Sequence, residues 1–289
     1  MSSPRLLLSK RNVFAKKQYG QNFLAEPSTA RRIVEKSGLH SSDVVLEIGA
    51  GLGALTIPLA EVVETVFAVE KDPELIPILT EEIEAHQLAN VVIMKADILR
   101  VDLQAVSKTA GKKITVMGNL PYNISSQVIV RLIENRDWVT RAVLMFQKEL
   151  ARRIAASPGR KEYGRITAML QYCAEIKPLA QIEAHQFFPK PKVDSMVLDI
   201  RFTSRGGSPA MDERLLFRLI KAAFGKRRKT LKNSLSGSEL GIDGPRAAAL
   251  LDQAGIDPSR RAESLSVSEF VVLSNILAGQ EDIPGISLP

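Results

Sequence analysis

Asp43-Val44-Val45-Leu46-Glu47-Ile48-Gly49-Ala50-Gly51-Leu52-Gly53 is a short apolar run that empties into three alternate glycines. An apolar run of about five residues bounded by turn formers has the pattern of a buried strand. Glycines placed between a strand and a helix let backbone approach a ligand closely. The helix expected next spans Ala54 to Val63. Outward from there the pattern recurs. Val66–Val69 is a strand ending at Glu70, and Asp72-Pro73 caps a helix reaching His86. Val91–Met94 is a third strand, ending at Ala96-Asp97. Ile114–Gly118 is a fourth, ending in Asn119-Leu120-Pro121-Tyr122. A helix from Ile124 to Asn135 leads to a fifth strand, Arg141–Phe146. Upstream, a helix starts near Pro27 with Ser28 as N-cap and stops at Gly38. This alternation predicts an α/β fold with a mostly parallel, doubly wound sheet.

The pattern then changes. Ile176–Glu183 and Met196–Phe202 read as strands bracketing Phe187-Phe188-Pro189-Lys190-Pro191-Lys192-Val193-Asp194-Ser195. Ser204-Arg205-Gly206-Gly207-Ser208-Pro209 is the best linker candidate. Short helices are expected beyond it, at Glu213–Phe224, Lys229–Leu235, Gly244–Ala254 and Val267–Leu277. The expected domains are a basic arm over 1–20, a main domain over 21–204, a helical domain over 205–278 and a loose tail over 279–289.

The chain has 289 residues, 45% hydrophobic and 25% charged, and a net charge of +7. That composition is globular, and the positive excess favours a polyanionic partner. No apolar run approaches the roughly 18 residues that span a membrane. Residues 1–20 carry Arg5, Lys10, Arg11, Lys16 and Lys17 without an acid, and Leu6-Leu7-Leu8 is too short for a secretory signal. A transit peptide, a basic arm on nucleic acid and a solvated tail all fit that composition; the cytoplasm is the expected compartment. The single cysteine, Cys173, excludes an internal disulfide and reads as a buried thiol. His40, His86 and His185 are isolated, so no metal site is expected.

Two stretches carry chemistry. Gly49-x-Gly51-x-x-Ala54 satisfies a dinucleotide fingerprint, which keeps a nicotinamide enzyme open. Glu47 before the loop, Glu70 placed for a ribose diol, and Asp97 placed for an adenine amine favour S-adenosylmethionine instead. Acidic groups suit that cofactor's cationic methionine end. At the fourth strand's end, the Asn119 side-chain oxygen and the Leu120 carbonyl can each accept one N–H of an exocyclic amine. Pro121 stiffens the turn, and Tyr122 offers a face for a planar ring. Lys226-Arg227-Arg228-Lys229 lies in a stretch, Arg214–Lys232, with eight Lys/Arg and no acid. Phosphate contact is the expected role, with Arg152, Arg153, Arg160, Lys161 and Arg165 extending the track.

With these motifs in order, the chain resembles the bacterial small-subunit (16S) ribosomal RNA adenine N6,N6-dimethyltransferases, whose loss gives kasugamycin resistance. The likeness runs from about Lys16 to Leu277. It rests on Gly20-Gln21-Asn22-Phe23-Leu24, Glu47–Gly53, Glu70, Asp97, Asn119-Leu120-Pro121-Tyr122-Asn123 and Gln147-Lys148-Glu149. Tyr163-Gly164-Arg165, Phe187–Ser195, Ala223–Leu231 and Arg261-Ala262-Glu263 complete it. The resemblance implies a Rossmann-like class I methyltransferase sheet followed by a small C-terminal all-helical domain that binds RNA or ribosome. It implies that Asn22, Leu24, Gly49, Glu70, Asp97 and Asn119 contact S-adenosylmethionine. It implies that Asn119 to Tyr122 read the target adenine and that Phe187 flanks the base from the other side. The implied substrate is two adjacent adenosines in a hairpin loop near the 3′ end of 16S rRNA, in an assembling 30S subunit, with the enzyme a monomer. The alternatives are a 23S rRNA adenine dimethyltransferase, a DNA adenine methyltransferase and a non-catalytic assembly factor.

Overall fold

The computed structural model describes residues 3–121, 123–203, 209–226 and 228–279. The strands are β1 (Phe23–Leu24), β2 (Val44–Ile48), β3 (Thr65–Glu70), β4 (Val91–Lys95), β5 (Ile114–Asn119), β6 (Val139–Gln147), β7 (Ala174–Ile182), β8 (Phe187–Phe188) and β9 (Ser195–Phe202). Seven of them form one sheet in the order β4-β3-β2-β5-β6-β9-β7, while β1 and β8 form a separate antiparallel pair. β2 runs parallel to β3 and β5, and β5 parallel to β6. Only then does β9 return antiparallel to β6.

All five residues of β2 are buried, as a central strand covered on both faces requires. The strand order reverses between β2 and β5, the switch point at which open α/β sheets bind ligands. Gly118 pairs with Ile48 there, and a Cβ on Gly118 would lie 2.5 Å from the Ile48 carbonyl oxygen. The two strands can approach this closely only because Gly118 has no side chain. Its absence places the glycine loop and Asn119 side by side.

The chain divides into two compact units, Met1–Ala151 with Glu175–Phe202, and Arg152–Ala174 with Thr203–Pro289. The division differs from a single boundary near 205. Helix Arg165–Cys173 belongs to the helical unit because Ala156, Tyr163 and Ala168 are buried in its core with Leu216, Leu219 and Phe270. Tyr163, Phe224 and Phe270 form a chain of rings there, with centroids 6.1 and 6.0 Å apart. The basic residues of 152–165 therefore belong to this unit, not to the sheet. Its other helices are Glu213–Ala223, Leu231–Leu235, Gly244–Gln253 and Val267–Ala278.

Residues 3–20 are not a loose arm. Pro4–Lys10 is a helix capped by Ser3, and Leu7 and Leu8 are buried with Phe23, Leu52, Leu75 and Ile78. The helix Pro27–Ser37 has Pro27 at its first turn and Glu26, not Ser28, at the cap position; Gly38 ends it in the left-handed region at φ 61°. Residues 204–208 of the linker candidate Ser204–Pro209, and residues 280–289 of the expected tail 279–289, lie outside the described residues.

Candidate active site

An open cleft lies at the carboxyl end of the sheet, inside the first unit. Asn22, Leu24, Gly49, Glu70, Asp97 and Asn119 all line it, together with Gln18–Gln21 of the strap Lys16–Gln21. Gly51 is left-handed at φ +58°, and a Cβ on it would press against the Phe23 ring at 3.2 Å. Glu70 is buried, and each of its oxygens is held by backbone: Oε2 accepts the Gly51 N–H at 2.8 Å and Oε1 the Asp72 N–H at 2.7 Å. Burial pushes its pKa up, and those N–H groups oppose the shift. Each oxygen keeps lone-pair capacity for a further donor.

Asp97 accepts Lys71 Nζ at 2.8 Å and the Leu99 N–H at 3.0 Å. The Lys71 bond holds its carboxyl below the usual range, so it is ionised at neutral pH. Glu47 sits at the cleft floor, 1% exposed, with Oε2 accepting the Thr56 hydroxyl at 2.6 Å. Desolvation pushes its pKa up to about 7.

Asn119 Nδ2 donates to the Asn22 carbonyl at 2.8 Å. Only the NH2 of an amide can donate to a carbonyl, so this bond fixes which way the group faces. Oδ1 is turned away from Asn22, and no hydrogen bond among the described residues occupies it. The Leu120 side chain is buried and its N–H donates to the Met145 carbonyl at 3.2 Å. Its own carbonyl takes no hydrogen bond among the described residues. The Pro121 carbonyl accepts the Ile124 N–H at 3.2 Å and Ser125 Oγ at 3.1 Å. The turn thus presents two neighbouring acceptors. Tyr122 lies outside the described residues.

Phe187 does not join them. It is 3% exposed, pairs with Leu24 across β1–β8, and packs with Met145, Ile182 and Val197. Side chains alternate along a strand, and here Phe188 faces the opposite way, against Phe23 and Leu52. In the helical unit, Lys226, Arg228 and Lys229 are exposed and make no ion pair among the described residues; Arg227 is not described. Sequence reasoning missed Lys16, Gln21 and Asp72, which anchor the strap. Asp72 accepts Lys16 Nζ at 2.9 Å and Gln21 Nε2 at 2.8 Å.

This strand order, with a glycine loop after β2 at the switch point and an acid ending the neighbouring β3, defines a class I S-adenosylmethionine-dependent methyltransferase. The cleft fits that cofactor: Glu70 offers two acceptors to a diol, Asp97 an ionised acceptor to an amine, and Gly51 an approach that a Cβ would fill. A sequence profile described as "Ribosomal RNA adenine dimethylase" matches residues 12–279. The Ribosomal RNA small subunit methyltransferase A of Desulforapulum autotrophicum is 52% identical over 96% of this chain and 97% of its own. That of Magnetococcus marinus is 41% identical over 94% and 95%. Among solved structures, 23S rRNA methyltransferase ErmE is 26% identical with a TM-score of 0.69, covering 89% of this chain and 100% of its own. A dimethyladenosine transferase from Plasmodium falciparum shares the fold at 24% identity and TM-score 0.73, over 87% and 95%. The chain belongs to the ribosomal RNA adenine dimethylase family. It is an enzyme whose methyl donor is S-adenosylmethionine and whose substrate is ribosomal RNA adenine.

Proposed function

We propose that the chain dimethylates N6 of two adjacent adenosines in a hairpin loop near the 3′ end of 16S rRNA, within the assembling 30S subunit. It acts as a cytoplasmic monomer and serves small-subunit biogenesis. The observation that carries the amine chemistry is the fixed Asn119 amide, which leaves Oδ1 as an acceptor beside the Leu120 carbonyl. The small-subunit target is supported by 52% identity to a relative named for that subunit. No helix among the described residues is long and apolar enough to cross a membrane.

The cofactor, when bound, supplies an electrophilic sulfonium methyl group; Asn22, Leu24, Gly49, Glu70, Asp97 and Asn119 would hold it. The rest of the work falls to acceptors. An adenine N6 lone pair is delocalised into the ring and is a poor nucleophile. Asn119 Oδ1 and the Leu120 carbonyl each take one N–H, which favours a pyramidal amine and directs its lone pair into the cleft. Both are neutral oxygens, so they orient the amine before attack. The methylated nitrogen is then cationic and loses its proton to water. In the second transfer the one remaining N–H engages one of the two acceptors. Orientation of this kind supplies a large part of the acceleration of a group transfer. Pro121 keeps the turn rigid, and Tyr122 is assigned the base face; a base reached this way must leave its stack. Phe187, buried behind Leu24, supports that strand instead. Lys226, Arg227, Arg228 and Lys229 contact phosphate.

The test is transfer of labelled methyl groups to small subunits lacking this modification, with large subunits and DNA alongside. Label recovered as N6,N6-dimethyladenosine from small-subunit RNA alone is the expected result. Label on large-subunit RNA would instead establish the activity for which ErmE is named.

A further inference from the structure

We propose that Gln21 and Asp72 are positioning residues for the methyl-acceptor site, acting on Asn119 through the backbone carbonyl of Asn22. This deepens the reading above and rests on Asn119 Oδ1 receiving the target amine. The amide of Asn119 is aimed by one bond, to the Asn22 carbonyl at 2.8 Å. That carbonyl belongs to a two-residue approach to β1, so something must hold the strap in place for the amide to be held.

The structure supplies the anchor. Asp72 is 0% exposed, although it is a carboxylate outside any regular element. Its Oδ2 accepts Gln21 Nε2 at 2.8 Å, and its Oδ1 accepts Lys16 Nζ at 2.9 Å and the Glu74 N–H at 3.1 Å. Burial alone would raise the Asp72 carboxyl, but the bonds from Lys16 and Gln21 outweigh it and hold it below the ordinary range. Gln21 is used at both ends: its Oε1 accepts the Lys16 N–H at 2.7 Å. The two ends of the strap, residues 16 and 21, are thereby closed onto one buried carboxylate. Just past the strap, Asn22 Nδ2 donates back to the Gly20 carbonyl at 3.0 Å. Gly20 lies on Pro121, where an added Cβ would sit 3.3 Å from the proline Cβ.

The same anchor reaches the other side of the cleft. The Asp72 N–H donates to Glu70 Oε1, and Glu70 Oε2 accepts from the Gly51 loop. Hydrogen bonds therefore run from the glycine loop through Glu70 and Asp72 to Gln21, and the peptide link from Gln21 to Asn22 carries the connection on to Asn119. A cluster that served only stability would have no reason to end on the carbonyl that orients the amine acceptor.

The full chain is labelled with 15N, and the Asn119 side-chain NH2 signal is identified by its loss in Asn119→Asp. Gln21→Leu removes both amide bonds at similar volume. The expected result is faster exchange of the Asn119 NH2 protons by at least tenfold, with kcat on small subunits down about tenfold. KM for the subunit and the Kd for S-adenosylmethionine should stay within threefold. Because Asp72→Asn alone removes the charge that Lys16 and Gln21 close upon, the reciprocal double variant Gln21→Glu with Asp72→Asn is the control. It reverses donor and acceptor across the same 2.8 Å contact, and should return the amide signal and kcat to within threefold of wild type. An Asn119 signal unmoved by Gln21→Leu overturns the proposal, as does a kcat loss that the double variant fails to recover. The amide readout needs no RNA. A moved signal in a protein whose wild type methylates no small subunit would leave the positioning intact and remove the substrate reading instead.

Discussion

Replacing Glu47 by Gln isolates a carboxyl that the fold buries beneath the glycine loop. Its side chain is 1% exposed. Desolvation, reinforced by the Glu70 charge and opposed by the Thr56 bond, pushes its pKa from an ordinary 4.5 up to about 7. The folded chain therefore holds this proton more tightly than the unfolded chain does. Between those two values stability falls as pH rises, and above the higher one the deficit is complete. At about 1.4 kcal/mol for each pH unit, the whole window costs about 3 kcal/mol. Glutamine keeps an oxygen for the Thr56 hydroxyl and carries no charge, so its stability lacks this slope. Urea unfolding followed by Trp138 is the assay: it is the chain's one tryptophan and lies in the same unit as Glu47. The difference, variant minus wild type, should be near zero at acid pH and climb to about 3 kcal/mol in favour of Glu47→Gln by mildly alkaline pH. Asp72, Asp97 and Asp194 are shifted the other way, below the ordinary carboxylate range. Their linkage falls at lower pH and cancels in the difference. A difference that stays flat across the window refutes the reasoning, since burial would then not be penalising the ionised form.

Gly118→Ala places a Cβ 2.5 Å from the Ile48 carbonyl oxygen; the strands must part, and a loss of about 3 kcal/mol in the Trp138-monitored transition is expected. Phe187→Ala empties a core position behind Leu24 and should cost about 3–5 kcal/mol by the same measurement; a loss of activity at unchanged stability would instead return Phe187 to the substrate. Neutralising Arg228 and Lys229 together should weaken RNA binding at low salt and flatten the slope of log affinity against log salt by about 1 to 2. An unchanged slope, measured by fluorescence anisotropy on a 16S hairpin, would remove them from the phosphate track.

How far the chain could be read depended on whether a partner was local. β2 was expected at 43–48 and spans Val44–Ile48, because an apolar run closed by glycine fixes its own limits. That Gly49, Glu70 and Asp97 share one cleft was legible for a related reason: each lies at or just past the carboxyl end of a strand, and parallel strands in such a sheet end at one edge. The N-terminal helix was not legible. Leu7 and Leu8 are buried by Phe23, Leu52, Leu75 and Ile78, and nothing within ten residues of them announces it. Phe187 and Phe188 show the same limit in smaller form. Alternation says that only one faces inward, but the pairing of Phe23 with Phe188 and Leu24 with Phe187 decides which.

Asp72 carries the matter furthest. Before Pro73 it has the signature of a helix cap, yet the helix begins only at Ile76 with Leu75 at its cap position. Asp72 does accept one N–H, from Glu74, as a turn-forming aspartate should. Its remaining capacity goes to Lys16 and Gln21, more than fifty residues earlier. A buried carboxylate is costly unless it is paired, so the pairing and the burial imply each other. Neither is visible until the strap is folded over the cleft. A local motif with spare acceptors at a strand–helix junction is therefore a candidate anchor for some distant segment. In this chain that segment is the one whose next carbonyl aims Asn119.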